Sequence, residues 1–200
     1  MMRWSMALND RLDMDFGHDL IDNGTSDDYY TPPWIFAALG IEFEMDVCAP
    51  ANGVPWIPAK RSLSIIEDGL ITPWIGRVWC NPPYSSPALW IDKFIAHGDG
   101  ICLVACSRSS SFHRLWQQAD AFMDLPLPLI KFVTAQGKSK GIFMPVILAA
   151  MGESNVATFR ASGLGRVRWI VIHNLIHSPL WTNQHTEPNP WQDVSLHGYT

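Results

Sequence analysis

The stretch that organises this sequence is VWCNPPY, residues 78–84, in which a short apolar run leads into an asparagine, two prolines and a tyrosine. Its first three residues are typical of a buried strand. Pro82 has no N–H to donate to a sheet, so we expect the strand to end at Cys80, just before Asn81. In open α/β sheets, ligands bind beyond the carboxyl ends of the strands, and this junction is therefore the first candidate for chemistry.

The segments around this stretch predict strands that alternate with helices. Residues 34–39 carry apolar side chains at helical spacing after two prolines and before Gly40, which predicts a short helix. Apolar spacing predicts a second helix around residues 90–95 and a third at 115–122. Strands are predicted at residues 41–48, 77–80, 101–106, 129–133 and 143–150. Such alternation favours an α/β fold with a parallel sheet.

Composition indicates a globular protein. Of 200 residues, 48% are hydrophobic and 16% charged, which argues against global disorder. The longest apolar run, residues 142–152, is far shorter than the ~20 residues that span a membrane, and we see no apolar secretion signal. We expect a cytoplasmic protein with reduced thiols and no bound metal, because the closely spaced Cys102 and Cys106 fall in a predicted buried strand.

Charge is distributed unevenly along the chain, although the formal net charge is −5. Residues 1–107 carry six basic and fourteen acidic side chains, residues 108–168 carry eight and three, and residues 169–200 carry none and two. A basic middle segment suits contact with phosphates. Ordinary scatter of surface charge gives similar counts, and the sequence leaves both interpretations open.

The prolines after Asn81 give this junction a specific chemical character. They hold the backbone rigid and remove two N–H donors, which leaves the Asn81 side-chain oxygen and the Pro82 carbonyl as a pair of acceptors. Such a pair suits a planar exocyclic NH2 group, whose lone pair becomes more nucleophilic when both N–H groups are hydrogen-bonded. Tyr84 is positioned to stack on the base that carries the amine, worth ~1–3 kcal/mol. A rigid turn without a ligand is the alternative interpretation.

Asn-Pro-Pro-Tyr at a strand end resembles motif IV of amino-group methyltransferases that use S-adenosylmethionine. The wider pattern resembles the phage and prophage DNA N6-adenine methyltransferases in order and spacing over about residues 28–106, and more loosely to about 150. The matching segments are DYYTPPWIF (28–36), FEMDVCAP (43–50), EDGL (67–70) and GRVWCNPPY (76–84). The resemblance implies a Rossmann-like methyltransferase fold with a mostly parallel central sheet and helices on both faces.

The resemblance also implies a domain organisation. We expect a methyltransferase domain over residues 28–170. A loosely ordered acidic lead-in precedes it over residues 1–27, and a tail without an assigned role follows over residues 171–200.

The resemblance implies which residues hold S-adenosylmethionine. Thr31 and Pro32 match motif X, where the Thr31 hydroxyl is available to the cofactor's carboxylate. Asp46, in motif I, would face the cofactor's ammonium group, and Asp68, in motif III, would accept from the amino group of its adenine. The implied cofactor-binding set is Tyr30, Thr31, Pro32, Asp46, Cys48, Ala49, Asp68 and Asn81. Glu67 is a weaker candidate for the ribose hydroxyls.

The same resemblance assigns catalysis to Asn81, Pro82 and Tyr84. The implied substrate-binding residues are Pro83, Tyr84, Ser107, Arg108 and Phe143. Phe143 resembles an aromatic residue that closes the other face of a flipped base. Ser107 and Arg108 begin a serine-rich stretch that follows a predicted strand. Two interpretations stay open: the stretch contacts phosphate or base, or it is a polar loop without a ligand.

The implied function is transfer of a methyl group from S-adenosylmethionine to N6 of an adenine flipped out of duplex DNA. The resemblance points to a phage-encoded or restriction–modification enzyme that acts in the bacterial cytoplasm. Two alternatives stay open. RNA guanine and protein glutamine methyltransferases share Asn-Pro-Pro-Tyr, and a non-catalytic DNA-binding or decoy protein would keep the same fold.

Overall fold

The computed structural model describes residues 29–125, 130–134, 137–141 and 144–169. Its helices are α1 (Pro33–Leu39), α2 (Ala88–His97), α3 (Ser110–Gln118) and α4 (Glu153–Ser162). Its strands are β1 (Tyr29–Tyr30), β2 (Phe43–Asp46), β3 (Ala59–Ser62), β4 (Val78–Cys80), β5 (Gly100–Ala105), β6 (Ala121–Asp124), β7 (Lys131–Thr134), β8 (Ser139–Gly141), β9 (Val146–Met151) and β10 (Arg166–Trp169). Within these ranges, no helix has the length and apolar character needed to cross a membrane. The expected lead-in and tail lie outside the described residues.

Seven strands form the main sheet in the order β10-β6-β9-β5-β4-β2-β3. The pairs β3–β2, β2–β4 and β4–β5 are parallel, and β5–β9, β9–β6 and β6–β10 are antiparallel. The α/β class is confirmed, but the sheet is mixed, and the expectation of a mostly parallel sheet is not confirmed.

The entry of β9 explains part of this difference. The Cys106 amide donates to the Pro145 carbonyl at 2.8 Å, so the chain enters β9 at the edge where β5 ends. Only residues 142–145 separate β8 from β9. A strand that begins at this edge runs back antiparallel to β5.

Helices cover both faces of the main sheet, as expected. Phe36 of α1 and Phe159 of α4 pack with Trp79 in one core layer. Phe94 of α2 and Leu115 of α3 belong to the other layer. Successive residues of a strand point to opposite faces, so a short central strand such as β4 contributes side chains to both layers.

The helix predicted over residues 115–122 is wrong in its bounds. The helix begins earlier because the Ser109 hydroxyl accepts a hydrogen bond from the Phe112 amide at 3.2 Å and caps it. The apolar residues after the helix form β6, which is hydrogen-bonded between β9 and β10. Their apolar character reflects a buried strand rather than the end of a helix.

Three short strands form a second sheet in the order β1-β7-β8. Phe132 of β7 is fully buried and belongs to the same core layer as Trp79. Its ring lies edge-on to Tyr29 with centroids 6.0 Å apart, and edge-on to Tyr84 at 6.2 Å. These ring contacts join the small sheet to the segment that follows β4.

Candidate active site

The strands β2, β3, β4 and β5 point the same way, so their carboxyl ends meet at one edge of the main sheet. A cavity of about 400 Å³ lies at this edge, and we call it the Asn81 cavity. The predicted site residues that line it are Tyr30, Thr31, Asp46, Cys48, Ala49, Asp68, Asn81 and Pro83. Four motifs that are separate in sequence, residues 28–36, 43–50, 67–70 and 76–84, are therefore brought together around one space.

Asn81 follows β4 directly and has a fixed side-chain orientation. Its Nδ2 donates to the Tyr29 carbonyl at 3.0 Å, and its Oδ1 is buried with no hydrogen-bond partner within the described part of the chain. A buried acceptor without a partner costs ~1–3 kcal/mol. Such an atom in a residue that lines a cavity is expected where a ligand supplies the missing donor.

Asp46, the last residue of β2, is only 2% exposed. Its Oδ1 accepts from the Cys48 amide at 3.3 Å. Burial raises the pKa of Asp46 to about 7, although the hydrogen bond from Cys48 opposes the rise. A carboxyl group desolvated in this way gains much from a cationic partner.

Two thiols, those of Cys48 and Cys80, lie near this carboxyl group. The Sγ atoms of Cys48 and Cys80 are 3.7 Å apart, and all four cysteines are free thiols. Burial raises the pKa of Cys48 and also of Cys102. Within the described ranges, no group of three or more His, Cys, Asp or Glu side chains is arranged to hold a metal ion.

Thr31 and Trp79 add two more unpartnered polar atoms to the wall of the Asn81 cavity. Both residues are fully buried, and neither Thr31 Oγ1 nor Trp79 Nε1 has a hydrogen-bond partner among the described residues. With Asn81 Oδ1, they make up three of the six buried side-chain N or O atoms that lack partners in the described ranges. Half of these unpartnered atoms therefore belong to residues that line the Asn81 cavity, which makes it the candidate ligand site.

Asp68 reaches the cavity from the connection between β3 and β4. Its backbone is in the left-handed region, with φ of 48°. Its Oδ1 accepts from the Leu70 amide at 3.0 Å. A Cβ on the next residue, Gly69, would lie 2.1 Å from the Val47 carbonyl oxygen. Only glycine therefore allows this connection to press against the end of β2 and bring Asp68 to the cavity.

The Glu67 carboxylate is hydrogen-bonded within a local turn. Its carboxylate accepts from the Ser64 amide at 2.9 Å and from the Ser64 hydroxyl, and these bonds lower the pKa of Glu67. Ser64 lines the cavity, whereas Glu67 is not among its lining residues.

Tyr84 does not line the Asn81 cavity. Its ring meets Phe132 at an interplanar angle of 85°, and its buried hydroxyl has no partner among the described residues. Burial raises the pKa of Tyr84 far above its ordinary value. Pro32 and Pro82 are buried and likewise do not line the cavity. The roles assigned to Pro32, Pro82 and Tyr84 stay predictions.

Ser107 and Arg108 lie at a second cavity of about 590 Å³, which we call the Ser107 cavity. It is lined by Ser107, Arg108, Ser109, Ser110, Phe112, His113 and Trp116. Because β4 and β5 are parallel neighbours, this segment follows the strand next to the one that delivers Asn81. Phe143 lies outside the described residues, so its expected contact with a base stays a prediction.

Sequence reasoning missed ten further residues that line the Asn81 cavity. These are Tyr29, Pro50, Val54, Ile57, Leu63, Ser64, Ile65, Gly69, Trp79 and Trp90. Gly69 has a usable signal, because it follows Asp68 inside a recognised motif. Trp79 has none, since a tryptophan in an apolar strand is indistinguishable from an ordinary core residue.

The fold and the cavity together define an α/β protein with a candidate ligand site at the carboxyl edge of its sheet. A family model described as DNA N-6-adenine-methyltransferase (Dam) matches residues 20–141. Since the match covers more than half of the 200 residues, the chain belongs to the DNA N-6-adenine-methyltransferase family. The family expected from the sequence is thereby confirmed. No curated protein and no solved structure matches the chain.

Proposed function

We propose that this protein transfers a methyl group from S-adenosylmethionine to N6 of an adenine that is flipped out of duplex DNA. The observation that carries the proposal is Asn81 Oδ1, a buried acceptor without a partner among the described residues, in a residue that lines the Asn81 cavity. Membership of the family supports adenine in DNA as the substrate.

The residues of the Asn81 cavity fit the donor. Asp46 offers a desolvated carboxyl group to the ammonium group of S-adenosylmethionine, and the unpartnered Thr31 hydroxyl suits its carboxylate. Asp68 accepts a hydrogen bond from the amino group of the adenine of S-adenosylmethionine. Tyr30, Cys48, Ala49 and Asn81, which also line the cavity, and the neighbouring Pro32 complete the proposed binding set. When bound, S-adenosylmethionine supplies an electrophilic methyl group attached to a positively charged sulfur.

Asn81 and Pro82 prepare the nitrogen that accepts the methyl group. The hydrogen bond from Asn81 Nδ2 to Tyr29 fixes the amide, so Oδ1 is already oriented before the base arrives. Two acceptors, Asn81 Oδ1 and the Pro82 carbonyl, engage both N–H groups of the adenine amine. These bonds draw the lone pair out of the ring, and fixed positioning lowers the barrier without a covalent intermediate.

The flipped base needs surfaces on its faces, because unstacking it costs a few kcal/mol. We assign Pro83, Tyr84 and Phe143 to this role. Contact between the rings of Tyr84 and Phe132 supports a rigid wall behind the base. The alternative is that Tyr84 serves packing alone, and Tyr84→Ala separates the two roles when target binding and stability are measured together.

We assign contact with DNA phosphates to Ser107 and Arg108. Arg108 is exposed and lies among serine hydroxyls at the Ser107 cavity, next to the strand that carries Asn81. Two other cations of the basic segment form ion pairs within the protein: Arg114 with Asp92 at 2.6 Å and Arg168 with Asp124 at 3.3 Å. The phosphate-facing part is therefore narrower than the whole segment.

Identification of the product tests the proposal. The protein is incubated with methyl-labelled S-adenosylmethionine in three separate reactions, which contain duplex DNA, RNA or protein. The products of each reaction are hydrolysed, and the labelled components are separated. We expect label in N6-methyladenine from DNA. Label in guanine from RNA or in glutamine from protein would show that DNA adenine is not the substrate. DNA binding without methyl transfer would support a non-catalytic protein.

A further inference from the structure

One lysine ties the connection that carries Asp68 to helix α2. We call this connection, residues 63–77, the Asp68 loop. Lys93 Nζ donates to the carbonyl oxygens of Gly69 at 2.9 Å, Leu70 at 2.9 Å and Thr72 at 2.6 Å. These bonds use all three donors of an ammonium group. A single side chain therefore fixes the backbone on the carboxyl side of Asp68.

Trp74 reinforces the same attachment. Its ring centroid lies 4.9 Å from Lys93 Nζ, within the range of a cation–π contact. Its Nε1 donates to the Gly69 carbonyl at 2.7 Å, so Gly69 accepts from two side chains. Burial lowers the pKa of Lys93, and attraction to Asp68 opposes the fall. The carbonyl bonds replace hydration that the ammonium group has partly lost.

The outer side of the Asp68 loop has little packing to hold it. Ile66 and Ile71 are 82% and 80% exposed, and Ile75 is 62% exposed. Asp68 itself adopts a left-handed backbone that non-glycine residues rarely take. Apolar burial therefore cannot fix this conformation alone, and the polar contacts of Lys93 with the inner side acquire a specific role.

We propose that Lys93 is a positioning residue that places the Asp68 carboxylate for the amino group of the cofactor's adenine. The inference rests on the proposed function, in which Asp68 accepts from that amino group. Lys93 touches neither donor nor substrate in this account. It acts by holding the turn from Gly69 to Thr72, and recognition of the adenine amino group depends on that turn.

The test compares two ligands that differ only in this amino group. One is S-adenosylhomocysteine, and the other is its analogue with hydrogen in place of the 6-amino group. Calorimetry gives the ratio of their affinities for each protein. We expect a ratio of about tenfold for the unmodified protein, the size of one charge-assisted hydrogen bond. Lys93→Met keeps the apolar stem but not the donors, and we expect its ratio to fall below about threefold.

Two further variants separate the possible causes. Lys60→Met removes an equal charge from a residue that bonds to Glu44 at 2.8 Å, and its ratio should stay at about tenfold. In Asp68→Ala, the ratio of the two affinities should fall to about one. If Asp68→Ala keeps the full ratio, the proposed role of Asp68 fails. If Asp68→Ala loses the ratio and Lys93→Met keeps it, the inference about Lys93 alone is overturned.

Hydrogen exchange gives a readout that does not require the cofactor. The Ile71 and Thr72 amides donate to the Asp68 carbonyl at 3.0 and 2.9 Å. In Lys93→Met, their protection should fall about tenfold or more, while amides of β5 keep theirs. Unchanged protection would overturn the proposal. Lys93→Gln, which keeps two neutral donors on a shorter stem, is used if Lys93→Met does not fold. It should lower both readouts, and full retention of either would contradict the role of the ammonium group.

Discussion

The Asn81 cavity and the Ser107 cavity lie at the same sheet edge but differ in the burial and hydrogen bonding of their polar groups. Polar groups of the first are buried, and three of them have no partner among the described residues. Hydroxyls of the second bond to one another, as Ser107 and Ser109 do at 2.8 Å, and most of its residues are exposed. Buried polar groups interact strongly and specifically, whereas exposed charges are screened by salt. We therefore propose that methyl transfer takes place in the first cavity and that the second attracts DNA phosphates.

Of the substitutions in the two cavities, Asn81→Ala should have the largest effect on the rate of methyl transfer. Loss of Oδ1 removes one acceptor for the adenine amine, and we expect single-turnover methyl transfer to fall about 10²–10³-fold. Donor affinity should change only a few-fold, because Asp46 and Asp68 remain. Rapid-quench kinetics and calorimetry measure the two effects. Asn52→Ala, in an exposed loop, is the control, and an unchanged rate in Asn81→Ala would end the proposed mechanism.

Asp46→Asn sharpens the comparison from the donor side. An amide cannot pair with the ammonium group of the donor, and we expect S-adenosylhomocysteine to bind about 10–100-fold more weakly at pH 7.5. The pKa of about 7 means that a proton must leave Asp46 before it pairs. Affinity of the unmodified protein should therefore fall as the pH drops from 7 to 5, by up to about tenfold per unit.

The same calorimetric series over pH 5–7.5 contains its own control. Affinity of Asp46→Asn should be nearly independent of pH, because the titrating carboxyl group is gone. A profile for the unmodified protein as flat as that of the variant would show that Asp46 does not receive the ammonium group.

Gly69→Ala tests whether the Asn81 cavity depends on close packing of the Asp68 loop. A Cβ at this position would lie 2.1 Å from the Val47 carbonyl oxygen and 2.8 Å from the Trp90 ring. We expect the free energy of unfolding in urea to fall by about 1–3 kcal/mol, with weaker donor binding. Gly141→Ala, where a Cβ meets nothing within 4 Å, should change neither. Equal stability of the two variants would contradict the packing argument.

Arg108→Ala should have the smallest effect, because exposed charges act through screened attraction. We expect DNA affinity to fall two- to fivefold and the slope of log affinity against log salt to decrease by about one. Fluorescence anisotropy at several salt concentrations measures both. Lys60→Ala, at the far edge strand β3, should leave the slope unchanged. A loss of catalysis without a change in salt dependence would assign Arg108 to the chemistry instead.

Residues with strong local signals were predicted well. Pro33 at the start of α1 and Gly40 after its end mark the helix, and Gly40 adopts φ of 63°. The strand before Asn81 ends where its prolines predict. The cavity residues Thr31, Asp46, Asp68 and Asn81 were found through motifs rather than through periodicity.

Other features depend on tertiary structure and leave little trace in the sequence. β3 reads Ala-Lys-Arg-Ser and is largely exposed, so only its pairing with β2 makes it a strand. β9 is apolar like a parallel strand because it lies inside the sheet with both faces covered, and its apolar run reports that burial rather than its direction. The contacts of Lys93 with carbonyl oxygens 21 to 24 positions away also follow from folding alone.

The most direct test of the account is a crystal structure of the protein with S-adenosylhomocysteine and an oligonucleotide that presents a target adenine. The account predicts that Asn81 Oδ1 and the Pro82 carbonyl oxygen both lie about 2.7–3.2 Å from the adenine N6 atom, with Asp46 at the donor's ammonium group. An adenine bound elsewhere, or an Asn81 Oδ1 turned away from N6, would contradict it.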